Sequence, residues 1–143
     1  MDSSSLVKLY VDDEDGVAET RAAVTAAHEV WTSPLAYAEV RSALAKAHRA
    51  QRLTAVQLRR AASAFDVDWP IYRAVEPTDG VLRAAGDASE RHPLSGADAL
   101  HLASGLALHS RLPGEPVHLT TWDKRLWDAA QADGLTLSHR RPA

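Results

Sequence analysis

Residues 94–108, LSGADALHLASGLAL, decide how the rest of the chain is read. Leu94, Leu102 and Leu106 recur at helical spacing and Ser95 stands where a cap belongs, so the stretch predicts a helix with a buried stripe. Asp98 lies inside that helix among small apolar neighbours rather than on a solvated face. Ser95 and Asp98 have the spacing of a capping box, which explains this acid by itself. It does not explain three more acids in comparable settings, Asp2, Glu39 and Asp123, and the four together read as one metal site.

Glu39 is the most informative of the other three. Its neighbours at three and four residues are Leu35, Ala36, Ser42 and Ala43, which puts it on or beside a buried stripe and past the first helical turn. Neither capping nor the helix dipole accounts for it there, and a lone buried carboxylate is costly unless paired or metal-bound. Asp123 follows an apolar strand and opens a helix, so an N-cap stapled by Trp122 and Trp127 explains it taken singly. Asp2 taken singly is a cap or a polar terminus. The joint placement carries more. In an open parallel sheet the carboxyl ends of strands and the first turns of the following helices share one crevice. Carboxylates crowded there repel one another unless a cation is present, and such hard oxygen donors select Mg²⁺ or Mn²⁺. A site of this kind suits hydrolysis of a phosphodiester.

The elements between these acids alternate. Helices are predicted over 3–11, 17–28, 34–50, 54–65, 80–91 and 124–132 besides the Asp98 helix, and strands over 29–33, 71–75, 117–121 and 135–138. Ser33-Pro34 starts the long third helix, and Gly134 stops the last one. Strands alternating with helices define an α/β chain, a parallel sheet with helices on both faces. At 143 residues, without repeats or low-complexity tracts, residues 1–143 are expected to form one domain.

The absence of cysteine excludes disulfides, thiolate zinc sites and Cys nucleophiles. Apolar runs are short and the chain opens MDSSS, so neither a spanning helix nor a signal peptide is predicted and a cytoplasmic location is expected. A net charge of −3 argues against bulk electrostatic attraction of nucleic acid. The charge is unevenly spread, however. Between Arg41 and Arg60 stand Lys46, Arg49, Arg52 and Arg59 and no acid, a run that is either a solvated face or a phosphate-binding one, with Arg41, Lys46 and Arg49 as candidate RNA contacts. The acidic run from Asp12 to Asp15 reads as a solvated loop.

Four stretches, DSSSLVKLY, SPLAYAEVRSALA, LSGADALHLASGLAL and LTTWDKRLWDAA, also resemble the PIN domain in this order and spacing, and most closely the VapC toxins of bacterial toxin–antitoxin pairs. The resemblance covers nearly the whole chain. It implies a three-layer PIN-like fold and an endoribonuclease dependent on Mg²⁺ or Mn²⁺, usually a homodimer, held inactive by a small antitoxin docked over its acidic groove. It places the metal-binding acids at Asp2, Glu39, Asp98 and Asp123, with Thr121 supporting the last and Ser3 supplying the hydroxyl after the first. One departure stands out. Members of the family usually carry a short apolar strand before the first Asp, whereas here Met1 precedes Asp2 directly, so the first strand is truncated and the native start is expected upstream.

His101, three residues from Asp98, has no second His at four-residue spacing and is expected to be a packed or partly exposed side chain. Trp31, Trp69, Trp122 and Trp127 are expected in core or interface positions, and His139 to Arg141 as a frayed tail or an RNA contact. No GxSxG or GxxxxGK[ST] pattern is present, and DSSS lacks the second Asp that an aspartyl phosphatase places two residues after its nucleophile. Two other readings share these residues: a PIN nuclease acting in RNA processing, and a catalytically silent RNA- or partner-binding module.

Overall fold

Short oxygen-bearing side chains set most of the helix starts in the computed structural model, which describes every residue except Asp13. Asp2 caps α1 (Ser3–Leu6), Thr54 caps α4 (Ala55–Asp68) in a reciprocal box with Gln57, and Thr78 caps α5 (Asp79–Arg91). Ser95 caps α6 (Gly96–Arg111) and Asp123 caps α7 (Lys124–Ala132). The remaining two begin differently. α2 (Val17–Ala26) follows Gly16, and α3 (Leu35–Arg49) follows Pro34, with the Ser33 hydroxyl accepting the Leu35 amide at 3.3 Å. Gly16 is there for two reasons: its φ is +85°, and an added Cβ would strike the Trp122 ring. The predicted helix over 3–11 divides into α1 and a 3₁₀ turn, Val7–Leu9.

The strands are β1 (Trp31–Thr32), β2 (Arg73–Ala74), β3 (His118–Leu119) and β4 (Thr136–Leu137). Each is shorter than its hydrophobic run predicts, and Ile71 is taken into a 3₁₀ turn, Trp69–Ile71. All pairing is parallel, as expected of the α/β pattern. Among the described residues, however, the strands form two separate pairs, β1 with β2 in the register Trp31↔Arg73 and β3 with β4 in the register His118↔Thr136, rather than one sheet. The shortening and the division have one cause, since an extended residue joins a ladder only where a partner lies beside it and each strand here has a partner on one edge.

Two apolar clusters flank the strands. One gathers Val81, Ala88, Leu102, Leu119, Leu126 and Leu135 from the second half of the chain. The other gathers Leu6, Ala36, Val40, Leu44 and Phe65 from the first half, where the Phe65 ring meets those of Tyr10, Tyr37 and Trp69. The tail is not frayed. His139 stacks on Trp122 at 4.3 Å, and Arg141 forks onto Asp128.

Of the acidic run, Asp13 lies outside the described residues, and Glu14 is engaged rather than solvated. It accepts from Lys8 Nζ at 3.0 Å and from Arg52 at 2.9 Å, while the buried Lys8 ammonium also lies over the Trp122 ring. Burial pushes the Glu14 carboxyl up, but the hydrogen bonds from Arg52 and Lys8 outweigh it and hold the group below its ordinary value of 4.5. A depressed carboxyl stabilises the fold above its unfolded pKa and ceases to do so as pH falls through the folded one. Glu14→Gln should therefore cost about 2 kcal/mol at pH 7 by leaving Lys8 buried and unpaired, and the urea melts of variant and parent should converge only as pH falls below the ordinary carboxyl value of 4.5 and through the lowered folded one.

Candidate metal centre

Asp2 is the best-anchored of the predicted acids. It is 2% exposed, its Oδ1 accepts the Ser5 amide at 3.1 Å, and its Oδ2 accepts the Ser4 hydroxyl at 2.7 Å and the Thr121 hydroxyl at 2.8 Å. Thr121, fully buried, accepts the Asp123 amide at 3.1 Å on the same oxygen, and Ser4 Oγ accepts the Trp122 amide at 2.8 Å. The turn that starts α1 is thus sewn to the segment joining β3 and α7, and Asp2 and Asp123 are linked through one threonine. Asp123 spends Oδ1 on its cap, accepting the Arg125 and Leu126 amides at 2.8 and 2.9 Å, and its Oδ2 lies 3.9 Å from the Arg125 guanidinium.

Glu39 lies on α3 and Asp98 on α6. The Glu39 carboxylate accepts from His101 Nε2 at 2.7 Å, and His101 is 3% exposed. A carboxylate only accepts, so Nε2 carries the proton. Asp98 precedes His101 by three residues on the same helix and accepts the Ser95 hydroxyl at 2.6 Å, the side-chain half of its cap. Glu39 and Asp98 are both half-exposed.

Sequence reasoning chose some supporting residues differently. Among the described residues Ser3 makes no side-chain hydrogen bond, and Ser4 fills the role expected of it, because the first turn of α1 aims the second serine back at its own N-cap. His101 is packed, as expected, but is also the partner of Glu39. The available signal was its spacing of three from Asp98, which places both on one side of α6. Of the basic candidates, Arg41 is committed to Asp66 at 2.7 Å across the α3–α4 hairpin, while Lys46 and Arg49 are exposed and, among the described residues, without an ion pair. A His101→Leu variant should lower any metal-supported activity by about tenfold at little cost in stability, whereas His101→Gln, which can still donate to Glu39, should recover most of it.

Four carboxylates are the donor set that hard divalent cations take. Their chemistry fits such an ion. Their present positions do not close around one, because among the described residues no group of three Asp, Glu or His lies close enough to hold it.

An aspartate buried at the head of an α/β chain and tied through a threonine to a second aspartate beyond a parallel strand fits a known class, and residues 1–130 match the PIN domain. The chain belongs to that family. Over 138 residues, 96% of this chain and 92% of each relative, it is 40% identical to the proteins named Ribonuclease VapC45 and Ribonuclease VapC49, from two strains of Mycobacterium tuberculosis. No helix among the described residues is long and apolar enough to cross a membrane.

Proposed function

We propose that this chain is an endoribonuclease that hydrolyses RNA phosphodiester bonds with Mg²⁺ or Mn²⁺ at Asp2, Glu39, Asp98 and Asp123, and that it is the toxin of a toxin–antitoxin pair. The observation that carries the reading is identity at 40% of positions, over nearly the whole chain, with two proteins named ribonucleases. When bound, such an ion lowers the pKa of its water towards neutrality and offsets charge building on the phosphoryl oxygens. The residues of the chain supply the setting. Thr121 and Ser4 hold Asp2 in one orientation, Thr121 keeps Asp123 beside it, and His101 fixes Glu39. Lys46 and Arg49, exposed on α3, are available to RNA phosphates. The partners proposed with this reading are a small antitoxin over the acidic groove and a second copy of the chain.

Structured RNA incubated with the purified protein tests the proposal. Cutting is expected with Mn²⁺ and none with EDTA. RNA that is bound but left whole by the folded, metal-supplied protein would favour the silent binding module instead.

A further inference from the structure

The two tryptophans that bracket Asp123 both reach one residue, His139, in the stretch that follows β4. The Trp122 ring stacks on the His139 imidazole with centroids 4.3 Å apart and planes 5° from parallel, and the Trp127 indole nitrogen donates to the His139 carbonyl at 3.3 Å. His139 is itself pinned on both sides. Ser138 donates its amide to the Leu119 carbonyl beside the β3–β4 ladder, and Arg141 forks onto Asp128 of α7. The imidazole makes no polar use of its contact with Trp122. Its Nδ1 donates to Arg140 O at 2.7 Å, and its Nε2 is buried with no hydrogen-bond partner among the described residues. What Trp122 receives from it is flat ring area.

Residues 120–123 belong to no helix or strand, so their placement rests on individual anchors rather than on a ladder. The Trp122 backbone nitrogen donates to Ser4 Oγ at 2.8 Å, and Ser4 Oγ donates in turn to Asp2 at 2.7 Å. The indole N–H donates at 2.8 Å to the hydroxyl of Thr20, fully buried on α2. The ring fills the space that a Cβ on Gly16 would need, and the Lys8 ammonium lies 5.3 Å from its centre. One ring is thereby held by α2, the 3₁₀ turn Val7–Leu9 and the stretch after β4, while its backbone stands between Thr121, which bonds Asp2, and Asp123. Neither Trp122 nor His139 belongs to either apolar cluster, and both are half-exposed. Their contact therefore adds little to what keeps the chain folded and acts on the placement of residues 121–123.

We propose that Trp122 and His139 are positioning residues of the metal centre: their stack clamps residues 121–123 where Thr121 and Ser4 can orient Asp2 and keep Asp123 beside it. The proposal rests on the reading of Asp2 and Asp123 as ligands. Neither ring is a ligand itself; each acts through the segment it holds. Removing a group that supports a metal ligand commonly costs 10–100-fold in affinity, and the contact with His139 lies one step further out, which sets its effect at the lower end.

The test compares the parent with His139→Ala, His139→Phe and Val81→Ala, the last a truncation in the apolar cluster of the second half of the chain. Two quantities are read: Mn²⁺ affinity, and hydrogen exchange at the Trp122 and Asp123 amides without metal. His139→Ala should weaken Mn²⁺ binding about tenfold and speed exchange at both amides about tenfold, with Tm within about 3 °C of the parent. His139→Phe restores the stack and should return both quantities close to the parent values. Val81→Ala should lower Tm by more and leave Mn²⁺ affinity unchanged. Unchanged affinity or unchanged exchange in His139→Ala, or a phenylalanine variant as impaired as the alanine one, would overturn the proposal. So would an equal loss of affinity in Val81→Ala, which would make general stability the cause. The exchange measurement needs no metal, so a parent that binds no Mn²⁺ would refute the ligand reading while the two amides still decide whether the stack holds the segment.

Discussion

Asp98→Asn is expected to lower metal-supported RNA cleavage at least about 100-fold while leaving the fold within about 1 kcal/mol of the parent. The first half follows from the role proposed for the acid. Loss of a residue that merely supports a ligand costs 10–100-fold, and loss of the ligand itself costs no less. The second half follows from the geometry. Asp98 is half-exposed, its only side-chain partner among the described residues is the Ser95 hydroxyl at 2.6 Å, and an asparagine oxygen can accept that bond equally well. The helix keeps its cap because Ser95 still accepts the amide of residue 98. Cleavage rates beside urea melts read both halves, and an active, stable variant would remove Asp98 from the chemistry.

Thr121→Val should have the largest effect on stability, about 3 kcal/mol. The substitution conserves shape at a fully buried position but removes the one oxygen that serves both Asp2 and Asp123. Asp2 would keep its bonds from Ser4 and the Ser5 amide, yet would remain a buried carboxylate with a donor missing, and the Asp123 amide would lose its acceptor. Thr121→Ser should recover most of the loss, since the hydroxyl returns and only a methyl is missing. A serine variant as unstable as the valine one would show that packing, not the hydrogen-bonded link, sets the cost.

Helix boundaries were legible wherever local chemistry writes them. The Asp98 helix was read to open at Ser95, and α7 to run from Lys124 to Ala132, because a capping oxygen at one end and Gly134 beyond the other are local signals. Strand extents were not legible. Residues 29–33 and 117–121 have the composition of strands, but a ladder needs a neighbour, and what lies beside each run is decided by residues far away in the chain. The same distinction runs through the site. Asp2, Glu39, Asp98 and Asp123 were chosen from the sequence as carboxylates in costly or capping positions. Ser4 could not be told from Ser3 without the turn of α1, and the Glu39–His101 pair joins residues 62 positions apart on different helices.

The most direct measurement of the central claim, that these four carboxylates form one metal site, is a Mn²⁺ titration followed by the electron paramagnetic resonance of the free ion. The parent chain should bind saturably, and Asp2→Asn, Glu39→Gln, Asp98→Asn and Asp123→Asn, each verified as folded by circular dichroism, should each weaken binding by at least about tenfold. Four folded variants that bind Mn²⁺ as the parent does would contradict it.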